Sequence, residues 1–428
     1  MTGSWAATLD VWPDSVTHRV PVKCRNCTKP MTVRVVVAGG HQPFVFACPH
    51  CAAPLHAVFH ARLEPMELRL ESDDMEVVDA EEPDALGVAI AVDVPVHLGL
   101  VGATGKASMI SPFILVAGEL GMERAGDLVD RVNELRALRE QLFPGVRRAG
   151  AFWGDRDLSG LTEAIRAIPG SDHLDWDNDT SMSMFDDLLD MLYGPIEQSD
   201  ARTTCAEEFL QHVGKALDDH PAELQTLFAD FGPPLEDHRR RTVSAVFAAL
   251  KDVDAFFPAL WAEAMEGTVD LEPYRVMRDD FAQRKSSFQD LFELASRTLA
   301  FVAPIVNLAV RGDANSYSDG KSRTPNKARR KVHAADRAEW LVELPATRAR
   351  YDAVSRTTRN EIGHALVRQD VRRGTIVYED GTEQNYMLFL VDWLNAVRLI
   401  RYAIDVIMVL DYTRAALHAR AATGYKDG

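Results

Sequence analysis

Cys24-Arg25-Asn26-Cys27 and Cys48-Pro49-His50-Cys51, joined through Met31-Thr32-Val33-Arg34-Val35-Val36-Val37 and Pro43-Phe44-Val45-Phe46-Ala47, decide how the first part of this chain folds. Two Cys-x2-Cys pairs fall within 51 residues, and the fifth cysteine, Cys205, is far away. That spacing reads as a metal site and not as a disulfide framework. The residues between the pairs are largely β-branched or aromatic with Gly39-Gly40 among them, so a β-hairpin carrying one pair to the other is expected. Small or turn residues (Asn26, Pro49, Ala52, Pro54) accompany each pair, as a knuckle that turns back on itself requires. Four thiolates would close a tetrahedral zinc with no position left for water, so the predicted zinc is structural and not catalytic. With four sulfurs available, His41, His50, His56 and His60 are read as surface residues, and Lys23, Arg25 and Lys29 as solvated charges.

Working outward, Ala57 to Glu71 partly alternates apolar and polar residues, so residues 1–71 read as a small β-rich zinc-ribbon module. Glu71 to Asp84 carries eight carboxylates and little apolar content, which reads as a solvated linker or edge. The rest of the 72–121 segment is apolar and rich in Gly and Val, and its periodicity does not choose between two strands with a glycine turn and a strand with a helix. Its Gly105-Lys106 pair suggests a phosphate loop, but Leu100 stands where the first glycine is needed and Ala107 where a magnesium-holding hydroxyl is needed. A glycine-rich turn is the reading kept.

From Met122 onward, segments near 122–143, 156–168, 182–193, 201–218, 235–265 and 272–310 repeat apolar residues at three- and four-residue spacing. Residues 122–310 are therefore a helical middle region. Arg311 to Lys331 breaks the pattern with Gly, Asp, Asn, Ser and Pro, and helices resume over 333–428. The expected fold class is mainly α: a small N-terminal β-rich zinc ribbon, a large helical region and a C-terminal helical bundle.

The chain has 64 acidic against 47 basic residues, a net charge of −17, which excludes coating of nucleic acid through bulk charge. Any nucleic-acid contact has to be local. The first residues lack the pattern of a secretion signal, and Asp392, Arg398, Arg401 and Asp405 interrupt the apolar run from Tyr386 to Leu410. A cytoplasmic protein that engages no membrane is expected.

Chemistry concentrates in Thr358-Arg359-Asn360-Glu361-Ile362-Gly363-His364-Ala365-Leu366. A guanidinium that keeps its charge and an imidazole that titrates near neutrality are what a metal-free phosphodiester cleavage needs. The spacing alone decides nothing, because Arg34 to His41 and Arg166 to His173 also satisfy it across glycines or a proline. Tyr351 to Val367 contains no proline and no glycine cluster. On a helix, Tyr351, Val354, Thr358, Ile362, Ala365 and Leu366 form the core stripe, while Arg356, Asn360 and His364 share the opposite face with Arg359 at its flank.

At these residues the chain resembles the HEPN superfamily (higher eukaryotes and prokaryotes nucleotide-binding), all-α domains with an Arg-x4–6-His signature, often with Asn after the arginine. The resemblance covers roughly residues 333–420. It implies a metal-independent endoribonuclease of toxin–antitoxin or antiviral defence systems, with RNA as substrate, a homodimer that completes the cleft, and an antitoxin or regulatory partner. His364 would be the general acid or base in attack by a ribose 2′-hydroxyl, Arg359 would stabilise the phosphorane, and Asn360 would hold the pair or the substrate. One departure from the family is a predicted β-hairpin over 375–386, turning at Asp380-Gly381.

Lys321, Arg323, Lys327, Arg329, Arg330 and Lys331 put six positive charges into eleven residues just upstream, a local patch that could hold RNA phosphates together with Arg356. The competing reading is a non-enzymatic adaptor that contacts nucleic acid or protein through the ribbon and dimerises through the C-terminal bundle.

Overall fold

Each cysteine pair reverses the chain by itself, so it joins the strand before it to the strand after it. In the computed structural model, β1 (Val16–Cys24) accordingly pairs antiparallel with β2 (Pro30–Val37), and β3 (Gly40–Ala47) with β4 (Pro54–Leu63). This corrects the expected hairpin: the strands flanking Gly39-Gly40 belong to different sheets, and the two knuckles are the hairpin tips. Residues 1–15, 38–39, 64–65, 79–87, 92–95, 99–102, 105–117, 119, 170, 172–179, 198–200, 252, 268–269, 273, 278, 319, 325–336, 338–339, 355–366 and 424–428 lie outside the described residues. The fold class is as expected, mainly α with a small β-rich region ahead of a large helical one. Two units divide the chain, one from residues 1–133, 253–286 and 364–391, the other from 134–252, 287–363 and 392–428.

In the first unit, β5 (Met66–Glu71) extends the β3–β4 hairpin. β6 (Met75–Val77), β7 (Val88–Ala91) and β9 (Ala103–Thr104) extend the other sheet in the order β6-β1-β2-β7-β9, and β8 (Val96–Leu98) pairs elsewhere. Period-two alternation sorts the side chains. Val20, Val22 and Cys24, then Met31, Val33 and Val35, then Phe44 and Phe46, then Leu55, Ala57 and Phe59 are buried in one core with Met75 and Met277. Val45 also donates its N–H to the Met277 carbonyl at 2.8 Å.

A helix was expected from residue 272, but β10 (Tyr274–Val276) pairs with β8 there, and Asp279 precedes the helix proper. Asp279 accepts from Arg284 Nε at 2.8 Å and from the Tyr386 hydroxyl at 2.6 Å. The predicted hairpin is present as β12 (Thr375–Val377) and β13 (Glu383–Asn385), and β11 (Arg368–Asp370) adds a third strand. Gly381 takes the left-handed φ of 82° that its turn needs.

Among the described residues the helices are α1 (Met122–Gln141), α2 (Phe143–Gly154), α3 (Leu158–Arg166), α4 (Ser181–Tyr193), α5 (Ala201–Asp219), α6 (Pro221–Leu250), α7 (Phe256–Met265), α8 (Phe281–Arg311), α9 (Pro345–Asp352) and α10 (Tyr386–Thr423). Two of them exceed the sequence reading. Helix α2 includes Pro144-Gly145 because proline is tolerated in a first turn, and a Cβ on its Gly150 would lie 2.5 Å from the Phe247 ring. Helix α6 starts at Pro221 and runs through Phe231-Gly232-Pro233-Pro234, with its non-helical kink at Gly232. Helix α8 is long and apolar enough to cross a membrane by length and composition, and 89% of its most apolar window is buried inside the protein.

Of the helix expected from Tyr351 to Val367, residues 355–366 lie outside the described residues, and the described part stops early. Helix α9 ends at Asp352, Ala353 caps it, and the Val354 N–H turns back to the Tyr351 carbonyl at 3.3 Å. Tyr351 and Val354 are nonetheless fully buried, as the core stripe required.

Buried charge holds the second unit. Arg401, with no exposed surface, donates to Asp405 on its own helix α10 and to Asp186 and Asp190 on α4, while Arg202 of α5 also grips Asp190. Arg239 of α6 bonds Asp411 of α10 at 2.6 Å and lies 5.8 Å over the Trp153 ring of α2. His238 is buried with Nε2 at 2.8 Å from Thr298 Oγ1, and burial, aided by nearby arginines, presses its pKa down to about 3. The folded chain keeps this ring neutral where the unfolded chain protonates it. Its contribution is therefore complete above pH ~6.5 and is lost as pH falls toward 3, at about 1.4 kcal/mol per pH unit. Burial pushes Asp405 the other way, up to about 6, so its contribution is present below its unfolded pKa and lost as pH rises through 6. Comparing wild type with His238→Gln isolates the histidine. Between pH 7 and pH 5 the difference in denaturant-unfolding free energy should shift against wild type by about 2 kcal/mol, and a difference that ignores pH would refute this account.

Candidate metal centre

The two knuckles are built alike. In the first, Thr28 N–H bonds the Cys24 carbonyl at 2.8 Å and Cys24 N–H bonds the Lys29 carbonyl at 3.2 Å; in the second, Ala52 bonds Cys48 at 2.8 Å and Cys48 bonds Ala53 at 2.7 Å. Thr28 and Ala52 both take left-handed φ values, 59° and 60°. Non-glycine residues rarely adopt that conformation, so the sulfur geometry holds the turns at a conformational cost.

The hairpin tips meet through their sulfurs. Cys24 Sγ lies 3.9 Å from Cys51 Sγ, Cys27 Sγ lies 3.8 Å from Cys48 Sγ, and all four fall within 4.8 Å of one another. A tetrahedral ion with metal–sulfur bonds of about 2.3 Å demands sulfur–sulfur edges of about 3.8 Å. The four cysteines can therefore hold one metal ion. Electrostatics agree: burial raises the thiol pKa of Cys24 and pushes Cys48 up to about 12, so thiolates there need a cation for compensation. Cys51 differs, because the Asn26 amide donates to its sulfur at 3.4 Å and, with the Ala53 N–H, brings it down to about 6. Asn26 thus tunes the opposite knuckle, a role that its place inside Cys-x2-Cys did not signal.

The neighbouring histidines are occupied otherwise. His50 Nε2 lies 3.2 Å from the Pro30 carbonyl, His56 Nδ1 lies 3.0 Å from Asp74, and His60 Nε2 lies 3.4 Å from Glu71. Arg25 and Lys29 are exposed beside the first knuckle, and Lys23 pairs with Glu76 at 3.0 Å.

The residues of the proposed nuclease motif, Arg356, Arg359, Asn360 and His364, lie outside the described residues, as do Lys327, Arg329, Arg330 and Lys331. Of the basic segment, Lys321 is exposed and Arg323 stacks its guanidinium over the rings of Tyr317 at 5.1 Å and Trp340 at 5.8 Å. The two rings meet edge to face at 4.8 Å. Trp340 stands too far along the chain from Arg323 for any local spacing to reveal this pairing.

A chain purified without chelator should carry about one metal ion, and Cys48→Ser should lose it together with the β-sheet circular dichroism of the hairpins, while Cys205→Ser keeps both. Metal content by mass spectrometry that is unaffected by Cys48→Ser would exclude this centre. Comparison with protein-family models, with curated proteins and with solved structures finds no match to this chain.

Proposed function

We propose that Cys24, Cys27, Cys48 and Cys51 hold a structural zinc ribbon and that the chain is a metal-independent endoribonuclease of HEPN type, a toxin or antiviral effector acting on RNA in the cytoplasm. Four sulfurs at tetrahedral spacing support the zinc, because an all-thiolate tetrahedral set favours that ion and leaves no position for substrate. The ribonuclease reading is carried by one observation, the run Arg359-Asn360-Glu361-Ile362-Gly363-His364 and its likeness to the HEPN signature.

In this reading His364 takes the proton from a ribose 2′-hydroxyl, whose oxygen attacks the adjacent phosphorus. Arg359 balances the charge that gathers on the phosphorane oxygens, and Asn360 holds the geometry. The bond to the 5′-oxygen breaks, a proton returns to that oxygen, and a 2′,3′-cyclic phosphate remains. A second copy of the chain would complete the cleft, and an antitoxin or regulatory partner would restrain it. Arg356 and the basic segment 321–331 would supply phosphate contacts.

The ribbon also supports a second reading, an adaptor without catalysis that uses the exposed Arg25 and Lys29 beside the knuckle to touch nucleic acid or protein. Labelled RNA separates the two. Wild type without added metal should cleave it, and Arg359→Ala and His364→Ala should each be slower by about a hundredfold or more. Equal cleavage by all three, or none by wild type, would leave the adaptor.

A further inference from the structure

In the first unit, β10 and the turn between β11 and β12 enclose an open cavity of about 670 Å³, within the size range of small-ligand sites. Arg275 is its distinctive member. Its Nη1 donates to the carbonyls of Glu272 at 2.5 Å and Tyr274 at 2.8 Å, and its Nε reaches the Arg372 carbonyl at 3.4 Å. Gly374, at a left-handed φ of 66°, makes room for this arrangement, since a Cβ there would lie 2.4 Å from Arg275 Cδ. Neutral carbonyls thus orient the guanidinium without a salt bridge among the described residues, and the Glu272 and Asp370 carboxylates act on its charge at longer range. Burial presses its pKa down and outweighs the opposing pull of those two carboxylates.

Arg372 lines the same cavity, exposed, with no bond from its guanidinium among the described residues, and Thr375 brings a hydroxyl that has no hydrogen-bond partner. Arg373 is committed to Glu383. The lining also carries carboxylates: Asp270, whose Oδ1 accepts the Glu272 N–H at 2.9 Å, and the exposed Glu266 and Glu272. A bare polyanion would be repelled by them. A ribonucleotide suits the mixed lining, since guanidiniums take its phosphate and carboxylates accept hydrogen bonds from ribose hydroxyls.

We propose that this cavity is a ribonucleotide subsite for one residue of the RNA strand, with the phosphate on Arg275 and Arg372 and the ribose hydroxyls on Asp270 and Glu272. The inference rests on the RNA-cleaving reading above and deepens it, because β11 begins at Arg368, four residues after His364. Calorimetric titration of the full-length chain with adenosine monophosphate tests it, with 2′-deoxyadenosine monophosphate, inorganic phosphate and a short RNA as further arms. Adenosine monophosphate should bind, the deoxy form and phosphate should bind at least about tenfold more weakly, and the RNA should displace the nucleotide. Arg372→Ala, at an exposed position that folding does not need, should weaken binding about tenfold, and Arg275→Gln should do so with thermal stability tracked in parallel. Unchanged affinity in Arg372→Ala, phosphate binding as tightly as the nucleotide, or failure of RNA to compete would each overturn the subsite. The motif variants keep the two readings apart. If His364→Ala abolishes cleavage while Arg372→Ala leaves binding untouched, the subsite alone fails; if His364→Ala cleaves as wild type while binding depends on Arg372, the catalytic assignment alone fails.

Discussion

Four sulfurs lie within 4.8 Å of one another, close enough to hold one metal ion, and that convergence organises the first unit. A knuckle offers two sulfurs only if the chain reverses within a few residues, so each pair must sit at the end of a hairpin, and the two hairpin tips must then meet. Strand pairing follows from the meeting of the sulfurs and not from the glycines between the strands. With β1 bound to β2 and β3 to β4, the alternating valines and phenylalanines of both hairpins share one core, and Met277 joins it from a distant part of the chain. Sulfurs and core reinforce each other. Thr28 and Ala52 hold left-handed turns that glycine would adopt more easily, so local preference yields to the convergence of the four sulfurs.

The second unit rests on a different constraint, buried charge. Arg401 cannot lose its proton at any ordinary pH, so its burial obliges Asp186, Asp190 and Asp405 to converge on it from α4 and α10. Such a cluster adds little net stability over an apolar core of similar shape. Removing one partner, however, strands the others in a medium that cannot solvate them. The consequence is specificity: α4, α5 and α10 are held in one register because other registers leave an arginine or an aspartate unmatched. Asp405 carries the mark of this compromise, its carboxyl pushed up to about 6 by burial even with two arginines at hand.

How much of this was legible follows from the range of each signal. Cys24 to Cys51 announced a metal site because ligand spacing is local, and the helices from Met122 onward announced themselves because apolar periodicity is local too. The partner of β2 was not legible, since Gly39-Gly40 suggests a turn more strongly than Cys-x2-Cys does to a reader who counts β-formers. Proline and glycine hid helix in two places: Pro144-Gly145 lies inside the first turn of a helix, where proline is tolerated, and Pro233-Pro234 follows a kink that α6 absorbs. The interruption of α9 after Asp352 was hidden for the opposite reason, because Tyr351 and Val354 fit the helical stripe and are buried although the helix has already ended. Contacts between distant residues, such as Arg323 on Trp340 or Arg275 beside Gly374, left no trace in any window of sequence.

The acid excess sharpens the meaning of those last contacts. In a chain with 64 carboxylates and 47 basic side chains, an arginine finds an acidic partner by default, and Arg202, Arg239, Arg284, Arg350 and Arg401 all do. Such arginines are spent on the fold. Arg323 instead lies over two aromatic rings, and Arg275 donates to backbone carbonyls while Glu272 and Asp370 act on its charge from further off. Orienting Arg275 by carbonyls costs desolvation, and its pKa is lowered by that burial. In a protein of net charge −17, any contact with a phosphate would depend on local cations fixed in place, as Arg275 is by its carbonyls, and not on bulk charge.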